Sequence, residues 1–181
     1  MEINKLLQKL NKKFPDKTVE TGILGKKGDP FIWTHLKHFR KLAKFLKEDP
    51  DFSLNWAENF SISQKKDTLI LSVFLRRFSF DQTQSPMILV LKTSVAVPSP
   101  NVEVEVPTLR DLWPSIEVME EEATELFGVQ FIDEEMGSPI DFQPRLLPPQ
   151  WVGFPLRKNY VFPVEVNGMT HERGVYERPN N

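Results

Sequence analysis

The chain has 181 residues, 40% of them hydrophobic, which suits one domain with a sizeable core and is too apolar for wholesale disorder. Its 23 basic and 25 acidic residues leave a net charge of −2, so no global field draws it onto nucleic acid or an anionic membrane. There is no cysteine, which excludes disulfides, thiolate catalysis, iron–sulfur ligation and thiolate zinc sites within this chain. No apolar stretch approaches the roughly 20 residues that span a bilayer, and the amphipathic N-terminus lacks the apolar core of a secretory signal. A soluble, intracellular chain is expected; if it works at a membrane, other subunits must hold it there.

Ile3, Leu6, Leu7, Leu10 and Phe14 fall at helical spacing, and Pro15 marks the exit. "TVETGILG" reads as a strand and "GKKGDP" as a turn. Asp29–Pro30 reads as an N-cap followed by proline in the first turn of a helix. That helix carries Phe31, Ile32, His35, Leu36, Phe39, Leu42, Ala43 and Leu46 along one stripe and ends by Asp49–Pro50. The lysines of Lys9–Lys17 and Lys37–Lys47 read as solvated helix faces.

"NFSIS", "TLILSVFLRRFSF" and "SPMILVLKTSVAV" are rich in β-branched and aromatic residues, separated by short polar connections. They predict consecutive antiparallel strands on which the helices pack. A proline-rich linker follows. Thr108 is placed to cap a short helix with Asp111 three residues on. Ser115 is placed to cap a second helix, 115–127, ended by Gly128. Ile116, Met119, Ala123, Leu126 and Phe127 form its expected buried stripe. Glu117, Glu120, Glu121 and Glu122 occupy its start or middle, where the helix dipole tolerates or favours negative charge, and the cluster Glu120, Glu121, Glu122 and Glu125 reads as an acidic face, solvated or turned to a partner. From 133 to 181 no period persists, yet Phe142, Trp151, Phe154, Tyr160 and Phe162 recur among seven prolines. Extended backbone with spaced aromatics suits a segment lying along a surface, of this protein or of another.

Ligand chemistry is sparse. His35 and His38 can share a helix face but lack a carboxylate to complete a usual metal set, and His171 stands apart. There is no phosphate-binding glycine loop and no nucleophile triad. Glu122 and Glu125, three apart, are the one carboxylate pair that acid–base or metal chemistry would favour, and no histidine accompanies them. In "WVGFPLRKNYVFP", tryptophan, tyrosine and arginine are the types enriched at interface centres. Arg157 suits a fixed ion pair, between segments or between subunits. The run either folds back on its own chain or docks a partner.

Three stretches taken in order, "VPTLRDLWPS", "EEEATELFGVQF" and "RLLPPQWVGFPLRKNYVFP", resemble the signature region of the C-type subunit family of NADH–quinone oxidoreductase (complex I). That region reads as a "DLWP"-type entry, an acidic helix ending in "D-M-F-G-I-x-F", then "L-x-P-x-D-W-x-G-H-P-L-R-K-D-Y". The resemblance covers residues 107–163. It departs at Phe154, where the family has histidine, and at Asn159, where it has aspartate. The link "IDEEMGSPIDFQPR" is longer than the family's and keeps only Arg145 of its arginine pair. A divergent relative, such as the corresponding subunit of a membrane-bound energy-converting hydrogenase, fits these departures.

The resemblance implies an α+β domain over 1–132, with helices on a mainly antiparallel sheet, and a long extended tail over 133–181 docking on a partner subunit. It implies interface roles for Glu122, Glu125, Arg145, Trp151, Arg157, Lys158 and Tyr160, and no catalytic, cofactor-binding or metal-binding residue here. The implied partners are the large hydrogenase-like subunit of D type and other hydrophilic-arm subunits, with membrane subunits contacted indirectly and no nucleic acid. Iron–sulfur clusters, and nickel–iron in a hydrogenase-type complex, are then expected in partner subunits, and the chain on the cytoplasmic side of the membrane. The rival expectations are a free-standing enzyme using the acidic helix and a stand-alone adaptor binding through its tail.

Overall fold

The computed structural model describes residues 8–10, 12–14, 19–23, 28–78, 86–149, 151–163, 165–166 and 168–170. A five-stranded sheet runs in the order β1-β2-β5-β4-β3. Its strands are β1 (Val19–Ile23), β2 (Pro30–Thr34), β3 (Trp56–Lys65), β4 (Thr68–Arg77) and β5 (Met87–Ala96). Pairing is antiparallel throughout except that β2 lies parallel to β5. The meander β3–β4–β5 follows the strands predicted from residue type. One face of it, with Phe60, Leu69, Leu71, Val73, Leu75, Leu89 and Leu91, is buried.

Helix α1 (Leu36–Glu48) covers that face through Phe39, Leu42, Ala43, Phe45 and Leu46 and leaves Lys37, Lys41 and Lys44 exposed. The expected start at Asp29–Pro30 is corrected: Pro30–Thr34 is a strand. Phe31, Ile32, Trp33 and Thr34 are aromatic or β-branched, and they alternate, Ile32 and Thr34 being buried. Pairing with strands on both sides outweighs the proline-start signal, and His35 becomes the extended residue before the helix. Residues 8–10 and 12–13 are helical, Leu10 is fully buried and Phe14 meets Phe45 edge-on at 5.7 Å. Ile3, Leu6, Leu7, His171 and the end of the tail lie outside the described residues.

The linker contains a strand that the prolines mask in sequence. β6 (Val104–Pro107) pairs in parallel with β7 (Val129–Asp133), and β7 pairs with the two-residue β8 (Ser138–Pro139). Between β6 and β7 run a 3-10 turn (Pro114–Ile116) and helix α2 (Glu117–Phe127). Trp113, 1% exposed, donates its indole N–H to Leu54 O at 2.9 Å, and Ser115 Oγ donates to Ala57 O at 2.8 Å. Ser115 thus bonds to β3 instead of capping α2. The expected helix at Thr108–Asp111 is a turn, in which Thr108 Oγ1 accepts the Arg110 N–H. Asp111 is held by Arg40 of α1 in a two-pronged pair at 2.7 and 2.8 Å. A hairpin of β9 (Glu165–Val166) and β10 (Met169–Thr170) follows. The architecture is α+β with a mainly antiparallel sheet, and one core joins both sheets through Phe60 and Phe131, 5.8 Å apart.

Candidate subunit interface

Helix α2 organises the site, because its acids face different directions. Glu117 lies 3.7 Å from Arg110. Glu120 is fully buried, which corrects the expectation of an acidic face open to solvent or a partner. Its carboxyl accepts the Leu109 N–H at 2.9 Å and the Thr108 hydroxyl at 2.6 Å. Burial pushes the Glu120 pKa up to about 7, partly offset by these two hydrogen bonds. Sequence spacing carried a signal for this: Glu120 shares a stripe with Ile116, Ala123 and Phe127. Glu121 is buried and forms an ion pair with Arg145. Glu122 is exposed.

Glu125 ties the downstream chain to the helix. Its carboxylate accepts the backbone N–H groups of Arg145, Leu146 (2.9 Å) and Leu147 (2.8 Å). Partial burial pushes its pKa up, but the three N–H groups and the Arg145 charge outweigh this and hold it below the usual range. Three successive N–H groups turned to one anion form a nest.

The C-terminal end of α2 is closed by the same segment. Gly128 takes φ +64 and ψ +46, the left-handed helix end that glycine favours. A Cβ there would lie 2.5 Å from the Phe154 ring, so the glycine serves both backbone and packing. Leu156 N–H donates to Leu126 O at 3.1 Å. Arg157, 3% exposed, donates to four carbonyls: Phe127 and Pro100 at 2.7 Å, and Gly128 and Ser99 at 3.2 Å. Its guanidinium stands 4.3 Å from the Phe154 ring centre. The cation thus meets the negative end of the helix dipole and joins it to the β5–β6 connection. Burial pushes its pKa down, with Glu103 opposing. Arg157 is satisfied inside the chain, by carbonyls in place of the carboxylate expected from its type.

Trp151 stacks on Tyr160 at 6.3 Å, and Phe162 meets both edge-on at 5.6 and 6.4 Å. Lys158 is anchored through its backbone N–H to Gln64 Oε1 at 2.8 Å, its side chain remaining exposed. The structure therefore gathers Glu125, Arg145 and Arg157 around α2, holds Lys158 to β3 through Gln64, and places Trp151 and Tyr160 in an aromatic cluster. Outward from this segment stand Leu146, Val152, Leu156 and Val161, between 52% and 85% exposed. Sequence reasoning missed the Glu120, Gln64 and Phe154 contacts, each of which depends on a partner remote along the chain. Among the described residues no group of acids and histidines is placed to hold a metal ion, and no helix is long and apolar enough to cross a membrane.

This arrangement has relatives. A C-type NADH-quinone oxidoreductase subunit from Roseiflexus sp. is 28% identical over 158 residues, covering 85% of this chain and 81% of that protein. A C/D-type subunit of the same enzyme from Citrobacter koseri is 30% identical over 141 residues, which are 74% of this chain but 21% of that longer protein. A trypsin-resistant fragment (1–134) of Nqo5 shares the fold with TM-score 0.57 at 17% identity, over 72% of this chain and 96% of the fragment. A chain of the membrane-bound sulfane sulfur reductase, an archaeal respiratory membrane complex, does so with TM-score 0.54 at 14% identity, over 72% of this chain and 71% of that one. Residues 32–166 match the family of the respiratory-chain NADH dehydrogenase 30 Kd subunit. That span takes in most of the sheet, α2 and the segment clamped by Arg157, and the chain belongs to this family.

Proposed function

We propose that the chain is a non-catalytic peripheral subunit of a membrane-bound, complex I-related oxidoreductase that couples electron transfer to ion translocation, and that it clasps the large, D-type subunit. The carrying observation is the segment 144–163. It is locked to α2 on one side by Glu125 and Arg157, and on the other it presents Leu146, Val152, Leu156 and Val161 to solvent. Exposed apolar side chains on a segment already bonded to its own domain suit a docking surface, because part of the ordering cost is met before the partner arrives. The C/D relatives support the choice of partner, since by name they carry C-type and D-type parts in one protein. On this reading the redox centres lie in partner subunits and the chain sits on the cytoplasmic face, held by them.

The test is purification of the tagged chain from detergent-solubilised membranes of its source. The expected result is recovery with the D-type subunit at equal stoichiometry, lost in a folded Val152→Asp, Val161→Asp double variant. Recovery of the wild-type chain alone would overturn the reading.

A further inference from the structure

We propose that the groove between β3 and α2 is the seat for an apolar side chain of the D-type subunit that is flanked in its own sequence by arginine or lysine. This rests on the subunit reading above and adds the place and chemistry of one contact. The groove holds about 210 Å³ and is lined by Phe60 and Ile62 from β3, Met119, Leu126 and Glu122 from α2, and Leu156 from the clamped segment. That volume is small for a cofactor or metabolite pocket and suits a single side chain. Ala123 and Phe127 complete its apolar lining, and Ser61 and Glu122 are its polar members. Met119 in that lining is an unbranched, polarizable side chain able to repack around a guest, and its Sδ already accepts the Phe60 N–H at 3.2 Å.

Charge selects the guest. Of the acids on α2, Glu117 meets Arg110, Glu120 meets Thr108 and Leu109, Glu121 meets Arg145, and Glu125 meets the N–H groups of 145–147. Glu122 is exposed at the groove and makes no ion pair or hydrogen bond among the described residues. A carboxylate without a partner beside an apolar slot selects an apolar anchor next to a cation. Leu156 is 52% exposed and lines the groove from the same segment that carries the exposed Val152 and Val161. Val118, 46% exposed and one turn before Glu122, extends the apolar rim.

The experiment places photoreactive benzoylphenylalanine at position 122, and separately at position 152, in the full chain assembled in its native complex. Crosslinked peptides are then sequenced. The expected product from position 122 is a peptide of the D-type subunit with a large apolar residue within two positions of arginine or lysine. Glu122→Lys is expected to weaken retention of the chain in the complex about tenfold by setting like charges together, and Glu122→Gln to weaken it less. Capture of the D-type subunit from position 152 with no capture, or capture of another subunit, from position 122 overturns the groove assignment and leaves the subunit reading standing. Failure at both positions overturns the subunit reading and the groove with it. Unchanged retention of Glu122→Lys also overturns the groove assignment.

Discussion

Replacing Arg157 by alanine removes four hydrogen bonds at once. Two of them, to Phe127 and Pro100 at 2.7 Å, are short, and those to Ser99 and Gly128, at 3.2 Å, are longer. A hydrogen bond to a charged group contributes roughly 1.5–3 kcal/mol, so the two short ones alone amount to about 3–6 kcal/mol. These values are already net of the cost of taking the guanidinium out of water, and the opened site lets water reach some of the carbonyls, which offsets part of the loss. The net loss is about 3 kcal/mol. Arg157→Lys should lose nearly as much, since one ammonium lacks the planar fork that reaches both the α2 end and the β5–β6 connection. Urea unfolding of the isolated chain, followed by tryptophan fluorescence, measures it. With a slope of about 1–3 kcal/mol per molar, the midpoint should fall by about 1 M or more. A fall below about 0.5 M at unchanged slope would refute the clamp and return Arg157 to the role of an external anchor.

Glu120 makes stability depend on pH. Its folded pKa is raised, so its favourable contribution is complete below the ordinary value of 4.5 and is lost as pH rises through about 7. Wild type should therefore lose about 3 kcal/mol relative to Glu120→Gln between pH 4.5 and about 8, read from paired denaturation curves; parallel pH profiles would count against this. Gly128→Ala should destabilise by about 2 kcal/mol or more, because a left-handed φ costs roughly 1–2 kcal/mol and the new methyl strikes the Phe154 ring. Shrinking that ring in Gly128→Ala, Phe154→Leu should relieve the clash but not the backbone cost. A double variant no more stable than Gly128→Ala alone would disprove the contact.

The parts legible in sequence are those in which local pattern and final environment agree. The meander β3–β5 shows itself by β-branched runs, and the end of α2 by Gly128 after an amphipathic stretch. What escaped is set by distant partners. Phe31–Thr34 has helix-like spacing to the residues that follow, and only the strands on either side make it β2. Val104–Pro107 reads as a linker until Val129–Asp133 is laid beside it. At the site, the residue types singled out Arg157 and Trp151. They did not disclose whether the guanidinium would meet a carboxylate or carbonyls, because a buried fork of donors is satisfied by either. Glu120 could have been placed inside by its helical phase; its charge argued the other way, and Thr108 and Leu109, which make its burial tolerable, arrive from outside the helix.

Glu125 grips the turn at 145–147 through amide hydrogens that every amino acid but proline supplies. Proline is the one substitution it forbids there, since only proline removes the donor. The arrangement therefore separates position from identity: backbone geometry is dictated by a single acid, so an exposed side chain such as Leu146 can change without loss of the turn, whereas Arg145 is also tied through its side chain to Glu121. Such a turn lets its exposed surface be rewritten without refolding the platform beneath it.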